Sequence, residues 1–136
     1  MKSCFMDTNL FIRYFTNDDP AKADRVEKLL DKAAVGKIKL VTAEMVIAEV
    51  VWVLESSYGL QSNEVGRIVK SILVTPGLEV INSHLVEAAI GYYLDSQIDF
   101  IDGYIAAVMD RHGIEEIYSY DKKHLARLKK ISRREP

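Results

Sequence analysis

What most constrains this chain is an alternation of short apolar runs that stop abruptly and longer stretches whose apolar residues recur at helical spacing. Cys4-Phe5-Met6 ends at Asp7 and gives way to Leu10, Ile12, Tyr14 and Phe15 among polar neighbours, as when a buried parallel strand feeds a helix. Strands are expected at residues 39–42, 78–81 and 117–120, with a last edge strand at 130–132. Between them, Asp19-Pro20 opens a helix, because the missing proline N–H costs nothing in a first turn. A buried helix over 43–57 follows, then one capped by Ser62 and ended by Pro76-Gly77, one over 83–93, one over 99–112 stopped by Gly113, and a short basic helix over 122–129. Strands alternating with helices, without repeat or linker, imply one α/β domain over residues 1–136. The expected architecture is a three-layer α/β/α sandwich with a short, mostly parallel central sheet.

Composition narrows the function classes. No apolar run approaches the roughly 20 residues that span a bilayer, and the first seven residues lack an export signal. Cys4 is the only cysteine, which excludes an internal disulfide and a cysteine-based zinc site. A soluble, cytoplasmic protein is expected. The net charge of −2 conceals an acidic body and a basic arm: residues 1–121 hold eleven Lys and Arg against nineteen Asp and Glu, whereas residues 122–134 hold seven Lys and Arg and no acid. Such an arm is either solvated surface or an attractor of phosphate.

Four acids stand where acids are costly. Asp7 ends the first strand, either as an N-cap or as a group held at the sheet edge where ligands gather. Glu49 has Met45 and Val46 one turn before it and Trp52 and Val53 one turn after, so its carboxylate emerges from an apolar face and needs a cation, whether Lys, Arg or metal. Glu44 and Glu55 project elsewhere and are expected to reach solvent. Asp102 sits among Ile98, Ile105, Ala106 and Met109, three residues after Asp99, which is placed to cap the same helix. Asp121 ends the strand 117–120 as Asp7 ends the first, and if those parallel strands are neighbours the two acids meet at one edge. Four converging carboxylates require cations, and an oxygen-only donor set suits Mg²⁺ or Mn²⁺.

Asp7-Thr8-Asn9, Glu49 in its apolar helix, Asp99-Phe100-Ile101-Asp102-Gly103-Tyr104-Ile105-Ala106-Ala107 and Ser119-Tyr120-Asp121 together resemble the ordered motifs of PIN-domain ribonucleases, in particular the VapC toxins of type II toxin–antitoxin systems. The resemblance spans essentially the whole chain. It implies a metal site made of Asp7, Glu49, Asp102 and Asp121, supported by Thr8, Asn9, Asp99 and Ser119, and Mg²⁺- or Mn²⁺-dependent hydrolysis of single-stranded RNA to 5′-phosphate and 3′-hydroxyl ends. It also implies a homodimer and a small VapB-like antitoxin, for which the apolar helices near residues 26–33 and 43–54 offer surface. Two departures are Ser119, where threonine is commoner, and Gly103, where alanine is usual. Lys122, Lys123 and Arg127 become candidate RNA contacts, with Arg133 and Arg134 lying beyond the last element.

Three other functions use the same features. A PIN nuclease of ordinary RNA processing shares every acid. A haloacid-dehalogenase-type phosphatase also ends its first strand in a nucleophilic Asp, but wants a second Asp where Asn9 stands. A binding module would keep the acids for stability alone.

Overall fold

The first expected strand forms as β1 (Ser3–Phe5), and the computed structural model, which describes residues 1–136, shows how its end is fixed. The Met6 N–H donates to the Val41 carbonyl at 2.8 Å, carrying the ladder one residue past β1. The buried Thr42 hydroxyl donates to the Met6 carbonyl at 2.9 Å. A buried hydroxyl left unpaired costs about 1–3 kcal/mol; here that need is met by pinning the residue before Asp7.

The chain divides into two compact units, Met1–Ser83 and His84–Pro136. In the first, β1, β2 (Lys39–Ala43) and β3 (Leu78–Ile81) form a parallel sheet with β2 in the middle, Leu40 opposite both Cys4 and Leu78. Parallel neighbours need crossovers, and each is a helix pair: α1 (Thr8–Thr16) with α2 (Pro20–Ala34), then α3 (Glu44–Ser56) with α4 (Ser62–Leu73). Asp19 caps α2 as its sequence implies, accepting the Lys22 N–H at 3.2 Å ahead of Pro20. The α4 cap is Gln61 rather than the expected Ser62, in a reciprocal capping box with Glu64. Gly77 turns into β3 at φ +77°, where an added Cβ would stand 2.2 Å from the Ala33 carbonyl oxygen.

The α3 helix departs from the expectation of full burial. Ile47, Val50, Val51 and Leu54 are buried, but Met45 is 75% and Trp52 65% exposed. An apolar helix with one face on a sheet has more hydrophobic circumference than that sheet can cover.

The second unit contains α5 (Ser83–Asp95, whose first residue closes the first unit), α6 (Phe100–His112), β4 (Glu116–Tyr118) and β5 (Ser132–Arg134). Here β4 pairs in parallel with β5, in a ladder separate from that of β1, β2 and β3. Gly113, at φ +64°, ends α6 as expected. Between α5 and α6 the departure at Gly103 has a steric reason, since a Cβ there would lie 2.7 Å from the Ala89 carbonyl oxygen.

The short basic helix does not form. Only a single 3-10 turn, Leu125–Arg127, appears, and Leu125, Leu128 and Ile131 enter the core beside Ile98, Ala106 and Met109. Their three-residue spacing suits a 3-10 turn and extended chain better than a 3.6-residue helix. The last strand lies two residues later than expected, so Arg133 and Arg134 belong to it. The Arg133 guanidinium donates to the Ser119 carbonyl at 2.7 Å and to Glu135 at 2.9 Å, and Arg134 pairs with Glu116 at 2.8 Å. The α/β class and parallel pairing stand as the sequence implies.

Candidate active site

Asp7 follows the pinned end of β1 and caps α1, its carboxylate accepting the Thr8 N–H at 2.8 Å. Capping uses one carboxylate oxygen and leaves the side chain exposed, so the cap and a ligand role are compatible. Asp7, Thr8 and Asn9 line one cavity of about 410 Å³ together with Glu49, Arg13 and Tyr58. Asp7 and Glu49 thus line the same cavity within the first unit.

Glu49 itself is exposed, not buried as its apolar neighbours suggested. Two of those neighbours are themselves in the open, Met45 and Trp52, while Val46 and Val53 are half-buried. The compulsion toward a cation that burial would have imposed on Glu49 is thus absent. Glu44 reverses the expectation in the other direction, since its Oε2 is buried without a hydrogen-bond partner.

In the second unit, Asp99, Asp102 and His124 can each offer a ligand atom within 4.8 Å of the others. Asp99 precedes α6 but makes no side-chain cap; its carboxylate instead lies 3.3 Å from His124 Nε2. Asp102, in the first turn, is half-buried. Desolvation and then the charge of Asp121 push its carboxyl above the usual carboxylate range, against an opposing effect of His124 that is larger than the small further push from Asp99. Asp121 belongs to the same group. It stands three residues past the end of β4 rather than ending the strand, in a turn where its N–H donates to Ser119 Oγ at 3.0 Å and its carboxylate accepts the Lys123 N–H at 2.8 Å. The Lys123 N–H above all, then the His124 N–H and the charges of His124 and Arg133, hold Asp121 below the usual range. Two neighbouring acids with shifts of opposite sign make a site with one secure charge and one reluctant charge.

Sequence reasoning missed His124, which stood as one of three scattered histidines; its place depends on the turn between β4 and Leu125, which no periodicity announces. Its Nδ1 is buried and unpartnered. Ser119, through its Oγ, accepts the Asp121 N–H in that turn. Among the candidate RNA contacts, Arg127 is engaged with the Gln97 carbonyl, Lys122 lies 4.0 Å from Glu135, and Lys123 is exposed.

The donors fit a divalent cation by their chemistry: Asp99 and Asp102 offer carboxylate oxygens and His124 a ring nitrogen within 4.8 Å of one another, and the charge of Asp121 acts on Asp102 as well.

A family model described as PIN domain matches residues 4–131. A curated protein named VapC ribonuclease, from Aquifex aeolicus (strain VF5), is 24% identical over 118 residues, covering 87% of each chain. Among solved structures, Mycobacterium tuberculosis VapC20, titled a sarcin-ricin loop cleaving toxin, aligns with a TM-score of 0.41 at 21% identity over 90% of this chain and 92% of that one.

Proposed function

The chain belongs to the PIN-domain family, and from that premise we propose that it is a metal-dependent endoribonuclease of the VapC type, the toxin of a toxin–antitoxin pair. The observation that carries the reading is the ligand group of the second unit, Asp99, Asp102 and His124, whose donor atoms lie within 4.8 Å of one another, with the charge of Asp121 also acting on Asp102. The family match runs across both compact units, which supports treating residues 1–136 as one PIN domain.

Asp7, Glu49, Asp102 and Asp121 are the proposed metal ligands, with Mg²⁺ or Mn²⁺ as the ion and Thr8, Asn9, Asp99 and Ser119 in support. When bound, the ion supplies Lewis acidity for attack of water on phosphorus and offsets charge on the phosphoryl oxygens. The chain's own part is positional. The Met6–Val41 and Thr42–Met6 hydrogen bonds hold Asp7 at the strand end, Ser119 and the Lys123 N–H hold Asp121, and His124 orients Asp99.

The substrate is single-stranded RNA, and the toxin role carries with it a cytoplasmic setting, a homodimer and a small VapB-like antitoxin. The exposed Met45 and Trp52 on α3 offer the apolar area such protein partners need. No helix is long and apolar enough to cross a membrane. The relative named VapC ribonuclease favours this reading over an RNA-processing nuclease.

The test is incubation with structured and unstructured RNAs in Mg²⁺, Mn²⁺ or EDTA, followed by analysis of the ends. Cleavage with either metal to 5′-phosphate and 3′-hydroxyl, lost in EDTA and in Asp7→Asn and Asp102→Asn, is the expected result. Equal cleavage in EDTA, or a fully active Asp7→Asn protein, would refute the assignment. Growth arrest on expression separates a toxin from an RNA-processing enzyme.

A further inference from the structure

An acidic body must still hold a polyanion, and the C-terminal basic residues are largely committed: Arg133, Arg134 and Lys130 to the ion pairs with Glu135, Glu116 and Asp110, and Arg127 to a carbonyl. A different concentration of positive charge lies in the first unit. A groove of about 480 Å³ runs between α1 and α2, with Leu10, Val26 and Leu29 supplying apolar contact and Arg13, Lys22 and Arg25 supplying charge. Every charged side chain lining it is a cation, although residues 8–34, which contain it, hold five Lys and Arg against five Asp and Glu. Its size falls within the ~300–1,000 Å³ of ordinary ligand sites.

The groove and the Asp7–Glu49 cavity share two lining residues, Asn9 and Arg13. At that junction Arg13 is held rather than free to sweep. Its guanidinium donates to Asp18 at 2.8 Å, and the same carboxylate oxygen receives the Tyr58 hydroxyl at 2.5 Å. A guanidinium has five donors, so one bond to Asp18 orients the group while leaving capacity for a phosphate.

We propose that the α1–α2 groove is the path along which a single RNA strand enters the Asp7–Glu49 cavity, with phosphates on Arg13, Lys22 and Arg25 and bases against Leu10, Val26 and Leu29. This rests on the ribonuclease reading above. Charge complementarity favours RNA as the occupant: three cations along the groove suit a chain of regularly spaced phosphates, and the apolar residues beside them suit its bases. No aromatic side chain lines the groove, so the contact is backbone-led and tolerant of sequence.

The test measures binding apart from cleavage. Fluorescence anisotropy of a labelled oligouridylate is followed through a salt titration, in EDTA and again in Ca²⁺, for the wild type, for Lys22→Ala/Arg25→Ala, and for Lys28→Ala/Lys32→Ala, which removes equal charge from the same helix outside the groove. Losing two phosphate contacts should lower the salt slope by about 1.4, so that the groove variant's deficit shrinks about sevenfold between 50 and 200 mM salt. The Lys28/Lys32 variant should keep the wild-type slope, and Arg25→Lys in the groove should keep most of the affinity. Equal slopes for the groove variant and wild type, or equal losses in both double variants, overturn the path while leaving the nuclease intact if Mg²⁺- or Mn²⁺-dependent cleavage persists. Unaltered RNA binding with a dimer lost from light scattering would assign the groove to a second copy and likewise overturn it. A wild type that neither binds nor cleaves RNA under any of these conditions overturns the path and the nuclease together.

Discussion

Asp102 is the residue where charge and structure are most at odds. Its folded carboxyl titrates above the ordinary value, chiefly through desolvation and then through Asp121. The stability associated with the protonated form is therefore complete below the unfolded value near 3.9 and is lost as pH rises through the higher folded value. In EDTA, Asp102→Asn should melt at a higher temperature than wild type at neutral pH, and the difference should vanish as pH falls below about 4. Mn²⁺ should raise the wild-type melting temperature and leave that of Asp102→Asn nearly unchanged. Melting curves across pH, with and without metal, check both; a less stable Asp102→Asn at neutral pH in EDTA would mean that the carboxylate is structurally satisfied. Gly77 shows the opposite constraint, of shape rather than charge. Gly77→Ala places a Cβ 2.2 Å from a backbone oxygen at positive φ and should lower stability by several kcal/mol in urea unfolding.

At the scale of elements, two departures from expectation have consequences. A glycine inside a helix ordinarily costs about 1 kcal/mol relative to alanine, so Gly103→Ala would stabilise a freestanding α6. Here α5 approaches within 2.7 Å of that Cβ position, and the variant should instead be destabilised by about 1–3 kcal/mol. A stabilised Gly103→Ala would show that the two helices separate readily. The β4–β5 ladder likewise changes what Arg133 does. Its bond to the Ser119 carbonyl ties β5 to the turn that carries Asp121, so Arg133→Ala should reduce both stability and cleavage, whereas Lys123→Ala should leave stability within about 0.5 kcal/mol. Parallel denaturation and activity measurements distinguish this from a dispensable terminus.

For the whole molecule, the protein carries a single tryptophan, and it is on the uncovered face of α3. Trp52 therefore reports directly on whether that face meets a partner. If the homodimer uses it, Trp52 emission should shift to shorter wavelength as concentration rises through the dimerisation range seen in light scattering, and Trp52→Glu should leave a monomer. A dimer whose tryptophan emission does not change would use another surface.

Much of this protein was legible in its sequence. Strand–helix alternation, the Asp19-Pro20 start, the Gly113 stop and the order of the acids follow from local propensity and spacing, which act over a few residues and survive any tertiary arrangement. The exposure of Glu49 was not legible, because helical spacing tells which residues share a face but not whether anything covers that face. Nor was the fate of residues 122–134, where the sequence suggested a basic helix, an edge strand at 130–132 and a tail, while the burial of Leu125, Leu128 and Ile131 goes with a 3-10 turn and a strand two residues later. His124 entered the acid group through that turn. The groove cations Lys22 and Arg25 drew no notice in sequence because the surfaces of α1 and α2 combine only when the helices pack. Propensity is local and sequence displays it; coverage and convergence depend on contacts between segments far apart in the chain, and tertiary structure decides them.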